Sequence, residues 1–350
     1  MNNGNTDGAA PRRILIILMG SIGDVVRALP LLGRLRKAFA GAHIAWAVEP
    51  KSAPVLEGHP WLDEMILYDR RRAPFSFPSF LYRVRAGNFD LVLDLQRHLK
   101  SGLTAYVTGA ADRIGFSAAN TKEFNHWFSS RQVAPQPNMR LKLLQYQAFG
   151  DALGIAPAPI EFGLEPSAEA LARARQLIAD APPPLLGVIL GSSWESRIYF
   201  AEETAQAIAD LHRREGLTPV LLGSPAERPF ADEVRAHLGK MNLVDLVGRT
   251  GLKDLPAIFR LCRAAFGPDC GPMHIAAAVG CPVVSLWGAT APERSAPWGF
   301  ADLAIKARIP CHPCYLRRCP IGRECMHRIL PAEVVAAVER ALGTAGTGIV

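Results

Sequence analysis

Residues 265–290 read AFGPDCGPMHIAAAVGCPVVSLWGAT, and the order of residue types in this stretch decides the fold. A short apolar approach runs into a Gly/Pro/Asp turn, a run of small residues follows, and the apolar segment Val283–Trp287 closes it. Strand, turn, helix and buried strand is the grammar of a parallel sheet covered by helices. Asp269 stands where the chain must turn, and Gly271 and Pro272 follow at the start of the helix. Proline suits a first helical turn, because the N–H it lacks has no partner there anyway. The unpaired N–H groups and the positive end of the helix dipole then face whatever lies above the turn. A nucleotide diphosphate fits such a place. An N-capped connector with no ligand explains the same residues as well.

The same pattern extends upstream. Leu185–Leu190 reads as a strand, Gly191–Tyr199 as a polar loop and Phe200–Glu215 as an amphipathic helix. Strand Pro219–Gly223, helix Pro225–Leu238, strand Leu243–Val247 and helix Leu252–Cys262 lead back to the opening stretch. Before the Pro-rich segment Ala181–Pro184 lies an earlier half built alike. Arg13–Met19 is a continuous apolar strand, Gly20–Asp24 a loop, and a helix runs on through Ala40. Strands at His43–Val48, Met65–Tyr68 and Leu91–Leu95 follow, with helices near Lys100–Thr108 and Met139–Leu153. Strand, Gly-containing loop and helix open a doubly wound α/β domain, whose ligands gather at the carboxyl ends of the strands. Two such halves imply a cleft between them. Residues 1–11, polar and rich in Gly and Asn, read as a disordered lead.

At 350 residues, with 49% hydrophobic and 20% charged content, the chain has the make-up of a two-domain globular protein. No apolar run approaches the ~18 residues of a membrane helix, and Ile14–Met19 is too short for a signal peptide; the expected compartment is the cytoplasm. Charge is uneven: residues 1–150 hold 19 Lys and Arg against 11 Asp and Glu, the remainder 20 against 21. The first half therefore expects an acidic partner, either an anionic substrate or a phospholipid surface. No zinc-finger, RNP-type or aromatic-interleaved basic run speaks for nucleic acid. Of the seven cysteines, Cys262, Cys270 and Cys281 sit in apolar or turn contexts and read as buried thiols.

Three motifs in this order, Ser21–Pro30 (SIGDVVRALP), Ser192–Arg197 (SSWESR) and Asp269–Pro282 (DCGPMHIAAAVGCP), resemble the ADP-heptose:lipopolysaccharide heptosyltransferases. This is glycosyltransferase family 9, and the resemblance runs from about Arg13 to Leu342. It implies a GT-B fold of two Rossmann-like, doubly wound domains facing a central cleft. The expected acceptor domain covers 12–165, the nucleotide-sugar domain 183–330, and a final helix, 331–345, packs back across the hinge. It implies an inverting glycosyltransferase that moves a heptose from ADP-L-glycero-D-manno-heptose to the acidic inner core of lipopolysaccharide, peripherally at the inner membrane. A same-fold enzyme for another nucleotide sugar, and a non-catalytic nucleotide-binding protein, are the rival readings.

Site residues follow by position. Asp24 corresponds to the general base; helix capping is its alternative. Arg197 stands where the family usually has a Lys on the donor diphosphate, adding bidentate phosphate recognition, with Ser192 and Ser193 beside it. Tyr199 and Phe200 replace the usual Trp-Pro. Glu227 corresponds to the ribose-binding carboxylate and Thr250 to a backbone contact with adenine. Asp269 would hold sugar hydroxyls, the N–H groups of Cys270 and Gly271 the distal phosphate, with His274 assisting. On the acceptor side stand Gly23, Arg71 of the Arg70–Arg72 run, Lys100 and Arg113; a solvated basic face is their alternative. Catalysis of this kind implies no cofactor. Cys311, Cys314, Cys319 and Cys325, in a reducing compartment, suit a structural zinc or an iron–sulfur cluster.

Overall fold

A computed structural model describes residues 10–73, 75–178 and 181–344; most of the expected disordered lead lies outside them. The chain divides into two compact units, one ending at Gly163 and one beginning at Leu164.

The first unit runs β1 (Arg13–Ile17), α1 (Ile22–Ala38), β2 (His43–Val48), β3 (Glu64–Leu67), α2 (Ser76–Ala86), β4 (Leu91–Asp94), α3 (Leu99–Val107), β5 (Asp112–Gly115), β6 (Arg131–Gln132) and α4 (Lys142–Ala152). Its strands are all parallel, in the order β3-β2-β1-β4-β5-β6. Ile14 to Ile17 are fully buried, as a central parallel strand covered on both faces requires. The order reverses between β1 and β4, which is where such sheets bind ligands.

The second unit begins with α5 (Ala168–Leu177). It continues β7 (Leu185–Ile189), α6 (Ala201–Glu215), β8 (Thr218–Leu222), α7 (Arg228–Leu238), β9 (Val244–Asp245), α8 (Leu255–Leu261), β10 (Cys262–Pro268), α9 (Gly271–Ala278) and β11 (Val283–Trp287). It ends with α10 (Pro292–Ser295), β12 (Ala304–Lys306), α11 (Glu324–His327) and α12 (Pro331–Thr344). The parallel order β12-β11-β10-β7-β8-β9 repeats that of the first sheet. Its reversal lies between β7 and β10. Helix α12 packs on α6, β10 and β11.

Two local findings differ from the sequence reading. Helix α1 starts at Ile22, inside the expected Gly20–Asp24 loop, because Ser21 caps it: its Oγ accepts from Asp24 N at 3.3 Å. Asp24 therefore stands in the first helical turn. The helix expected over 139–153 begins at Lys142, after Leu141 in an extended conformation. The short strands β5, β6 and β12 and the helices α2, α5, α10 and α11 were not expected from the sequence.

Candidate functional site

The β7/β10 reversal collects most of the residues singled out in the second half. The loop after β7 carries Ser192, Ser193, Trp194 and a 3-10 turn, Glu195–Arg197, while β10 hands over at Asp269 and Cys270 to α9. Ser192 Oγ donates to the Asp269 carbonyl at 2.8 Å. The Arg197 guanidinium lies 3.1 Å from Asp269 Oδ2 and 3.9 Å above the Trp194 ring centre. Thr290, after β11, donates to the same Oδ2 at 2.7 Å. Thus Asp269 is fixed from three sides, and the guanidinium lies over an indole beside a helix start. Burial pushes the Cys270 thiol up to about 12, so this residue brings no negative charge to a phosphate site. His274 is buried one turn into α9. Ser193 is exposed on the same loop.

Glu227 serves the helix and the loop together. Its Oε2 accepts from Ser224 N at 2.7 Å and from Ser224 Oγ at 2.6 Å, closing a capping box. Gly191 lies against the other oxygen: a Cβ there would fall 2.6 Å from Oε1. Only glycine lets the loop approach so closely. Thr250 contributes a long bond to the Leu246 carbonyl, 3.5 Å. Thr290 and Trp194 had no role in the sequence reading. Their positions, the last residue of the opening stretch and the middle of SSWESR, were the available signals.

The Arg197 loop is braced from residues 312–329. Ser196 N and Oγ donate to the Arg317 and Leu316 carbonyls at 3.2 and 2.5 Å, and Tyr199 OH donates to the Ile329 carbonyl at 2.6 Å. Phe200 stacks on His327 at 3.6 Å between ring centres and lies under the Arg323 guanidinium. Tyr199 and Phe200, which depart from the family's Trp-Pro, therefore have partners of their own. Cys314, Cys319 and Cys325 sit in this brace and Cys311 just before it, all as free thiols. Burial, and after it the neighbouring Cys319, Cys311 and Cys314, push the Cys325 thiol up to about 11. Among the described residues no group of three or more His, Cys, Asp or Glu side chains is arranged to hold a metal ion.

In the first unit, the β1/β4 reversal presents Asp24. Its Oδ1 lies 2.7 Å from Lys142 Nζ, 2.7 Å from Arg27 Nη2 and 3.3 Å from Tyr146 OH; Ser21 Oγ donates to Oδ2 at 2.8 Å. Burial alone would raise this carboxyl, but Lys142 and Arg27 outweigh it and hold it well below the usual carboxylate range. With 18% of its side chain exposed, Asp24 remains reachable. Sequence reasoning missed Lys142 and Tyr146, on α4 and more than a hundred residues away. Gly23, beside Asp24, is buried in the same turn.

The cationic candidates are placed unequally. Lys100, exposed at the start of α3, donates to Tyr68 OH at 2.9 Å and lies over the Tyr68 and Phe77 rings. Arg71 stands exposed three residues beyond Tyr68, so these two belong to one carboxyl edge of the sheet. Arg113 lies within β5 opposite Val92, its guanidinium donating to the Phe128 and Ala110 carbonyls. It is not brought to that edge. Between them, Asp94 is pushed up to about 7 by burial, against hydrogen bonds from Asn125, Gln96 N and Ser101.

Two Rossmann-like sheets of one strand order, the second carrying an arginine beside a helix start at its reversal point, define the GT-B class of glycosyltransferases. A family model described as glycosyltransferase family 9 (heptosyltransferase) matches residues 78–324, and the chain belongs to that family. Lipopolysaccharide heptosyltransferase 1 of Pseudomonas aeruginosa is 28% identical over 324 residues, 88% of this chain and 87% of that protein. Among solved structures, a glycosyl transferase family 9 protein of Veillonella parvula superposes with a TM-score of 0.80 at 23% identity, over 95% of this chain and 97% of that one. The Escherichia coli ADP-heptose lipopolysaccharide heptosyltransferase II gives 0.76 at 20% identity, over 96% and 100%. Among the described residues no helix is long and apolar enough to cross a membrane.

Proposed function

We propose that this glycosyltransferase moves a heptose from ADP-heptose to an acidic sugar of the lipopolysaccharide inner core, with inversion at the anomeric carbon. The observation that carries the reading is the arrangement of Arg197, Ser192 and Asp269 at the start of α9. It offers a diphosphate a cation, a hydroxyl and helix N–H groups at one point. The donors named by relatives, ADP-heptose in the Escherichia coli enzyme, suit it. Glu227 takes the ribose hydroxyls, Thr250 borders the adenine, and Asp269 holds sugar hydroxyls with His274 behind it.

In this reading Asp24 takes the proton of the acceptor hydroxyl as its oxygen attacks the anomeric carbon. The bond to the diphosphate breaks, and Arg197 with the N–H groups of Cys270 and Gly271 stabilises the departing ADP. A carboxylate held as low as Asp24 is always ionised but accepts a proton poorly. The acidic acceptor, drawn by Arg71 and Lys100, competes for Lys142 and so restores basicity to Asp24. The enzyme acts in the cytoplasm, peripherally at the inner membrane where its acceptor is anchored. A metal staple at Cys311, Cys314, Cys319 and Cys325 is a separate, structural proposal, decided by elemental analysis: about one zinc per chain, or about two to four irons with acid-labile sulfide, supports it, and no metal counts against it.

The test is mass-spectrometric detection of heptose transfer from ADP-heptose to truncated core acceptors, with thermal shifts against ADP-, UDP- and GDP-sugars alongside. Asp24→Asn keeps ADP binding and lowers turnover by about 10²–10⁴-fold. Stabilisation by a UDP- or GDP-sugar in place of ADP-heptose refutes the donor. Full turnover by Asp24→Asn refutes the base.

A further inference from the structure

Helix α3 is turned inside out. Of its sequence LKSGLTAYV, the buried positions are Ser101, Gly102, Thr104 and Ala105, whereas Leu99, Leu103 and Tyr106 are 48%, 36% and 59% exposed. These three recur at i, i+4 and i+7, so they form one stripe along the solvent side. A 3-10 turn, Asn125–Phe128, packs against α3 at Gly102, where a Cβ would fall 2.7 Å from the Phe128 ring. That contact brings up Phe124 and Trp127, stacked at 4.6 Å and exposed by 61% and 70%. Scattered exposed apolar residues are ordinary; five large ones on adjoining elements, with small polar residues beneath them, mark a docking face.

Charge and side-chain chemistry name the occupant. Lys100, Lys122 and Arg113 flank the stripe, the Arg113 guanidinium lying 5.7 Å from the Tyr106 ring centre. The acidic neighbour, Glu123, is already engaged by His98 at 3.3 Å and by Leu99 N at 3.1 Å. Tryptophan and tyrosine with an apolar body and polar tip, rimmed by cations, fit the headgroup level of an anionic bilayer. A second copy of this chain would set cation against cation.

We propose that the Leu99–Leu103–Tyr106 face of α3, extended by Phe124 and Trp127, seats on the surface of an anionic phospholipid bilayer. The inference rests on the proposed function for its purpose, since it puts the first unit beside a lipid-anchored acceptor. It reaches no deeper than the interface: the stripe is about two turns long and lies flat.

The experiment is flotation of the full chain with vesicles of phosphatidylethanolamine and phosphatidylglycerol, with phosphatidylcholine vesicles as control. It compares the wild type with Leu103→Glu/Trp127→Ser and the milder Leu103→Ser. The expected result is binding that needs phosphatidylglycerol and falls at least about tenfold in the double variant and less in the single one. Thermal unfolding and transfer to a lipid-free core acceptor stay unchanged. Equal binding by all three proteins, binding indifferent to phosphatidylglycerol, or no binding by the wild type overturns the inference. So does self-association of the wild type that the variants lose, which would assign the face to a second copy. Failure of the transferase reading shows elsewhere, as wild-type protein that does not act on the lipid-free acceptor.

Discussion

Replacing Lys142 by methionine isolates the electrostatics of Asp24, the base proposed above. The ammonium sits 2.7 Å from Asp24 Oδ1 on the adjoining helix α4, and Arg27 stands at the same distance on α1 itself. Methionine retains most of the aliphatic stem and removes the charge. With only 18% of the Asp24 side chain and 24% of that of Lys142 exposed, solvent screens the pair weakly. An opposite charge at this range typically moves a carboxyl by about 1–3 units, and each unit corresponds to about 1.4 kcal/mol. Because the folded carboxyl is depressed, the proton leaves Asp24 at lower pH than in the unfolded chain. Activity is therefore lost only when pH falls through that depressed value. Taking away Lys142 raises it, so the acidic limb of kcat/KM should move to higher pH by at least about one unit. The limb of kcat should move less, since in the ternary complex the acceptor already competes for the ammonium. Steady-state rates with a soluble core acceptor, carried below the ordinary carboxylate range as far as the fold survives, measure both limbs. An unmoved acidic limb in an otherwise active variant would refute the assignment of Lys142 as the group that holds Asp24 down, and with it the release of the base by an acidic acceptor.

Other perturbations read the donor side. If Arg197 holds the diphosphate as proposed, Arg197→Met should weaken ADP about 10–100-fold by calorimetry; undiminished affinity would place the diphosphate elsewhere. Arg197→Lys should fall between, keeping charge but not the fork or the planar group over the Trp194 ring. Gly191→Ala puts a methyl group 2.6 Å from Glu227 Oε1, so the carboxylate must swing away from the loop. ADP should bind about tenfold or more weakly while the thermal transition barely moves, and the same change should leave affinity for pyrophosphate alone intact.

Much of this architecture was legible in the chain because burial on both faces leaves a continuous apolar signature. His43–Val48 and Val283–Trp287 are strands with the expected ends. What escaped was short or set by distant contacts. Strand β6 is two exposed polar residues, paired with β5. The start of α1 could have been read from Ser21 and Asp24, since a hydroxyl residue followed three positions later by an acid is a helix-start signature. The Gly20–Asp24 glycines suggested a longer loop instead. No local signal tells that Lys142 or Tyr146 meets Asp24, because that contact depends on α4 packing along α1. The brace from 312 to 329 is aperiodic, so its cysteines stood out while its work on Ser196, Tyr199 and Phe200 did not.

Both reversal points hold the charge proposed to act there in the same way. Asp24 rests against Lys142 and Arg27, and Arg197 rests against Asp269. Burying such a charge alone would cost several kcal/mol; the counter-ion removes most of that cost and fixes the side chain before any ligand arrives. A ligand of the right sign then exchanges one ion pair for another instead of having to desolvate a bare charge. A diphosphate can take Arg197 from Asp269, leaving Thr290 to hold the carboxylate where a sugar hydroxyl would approach. An acidic acceptor can take Lys142 from Asp24. Neutral ligands have nothing to exchange, so selectivity for charged substrates follows from the resting pairs. An uncharged acceptor analogue should therefore lose far more in kcat than its lost affinity alone explains, and Lys142→Met should narrow that difference. If the variant discriminates between acidic and neutral acceptors as the wild type does, the exchange is not what selects them.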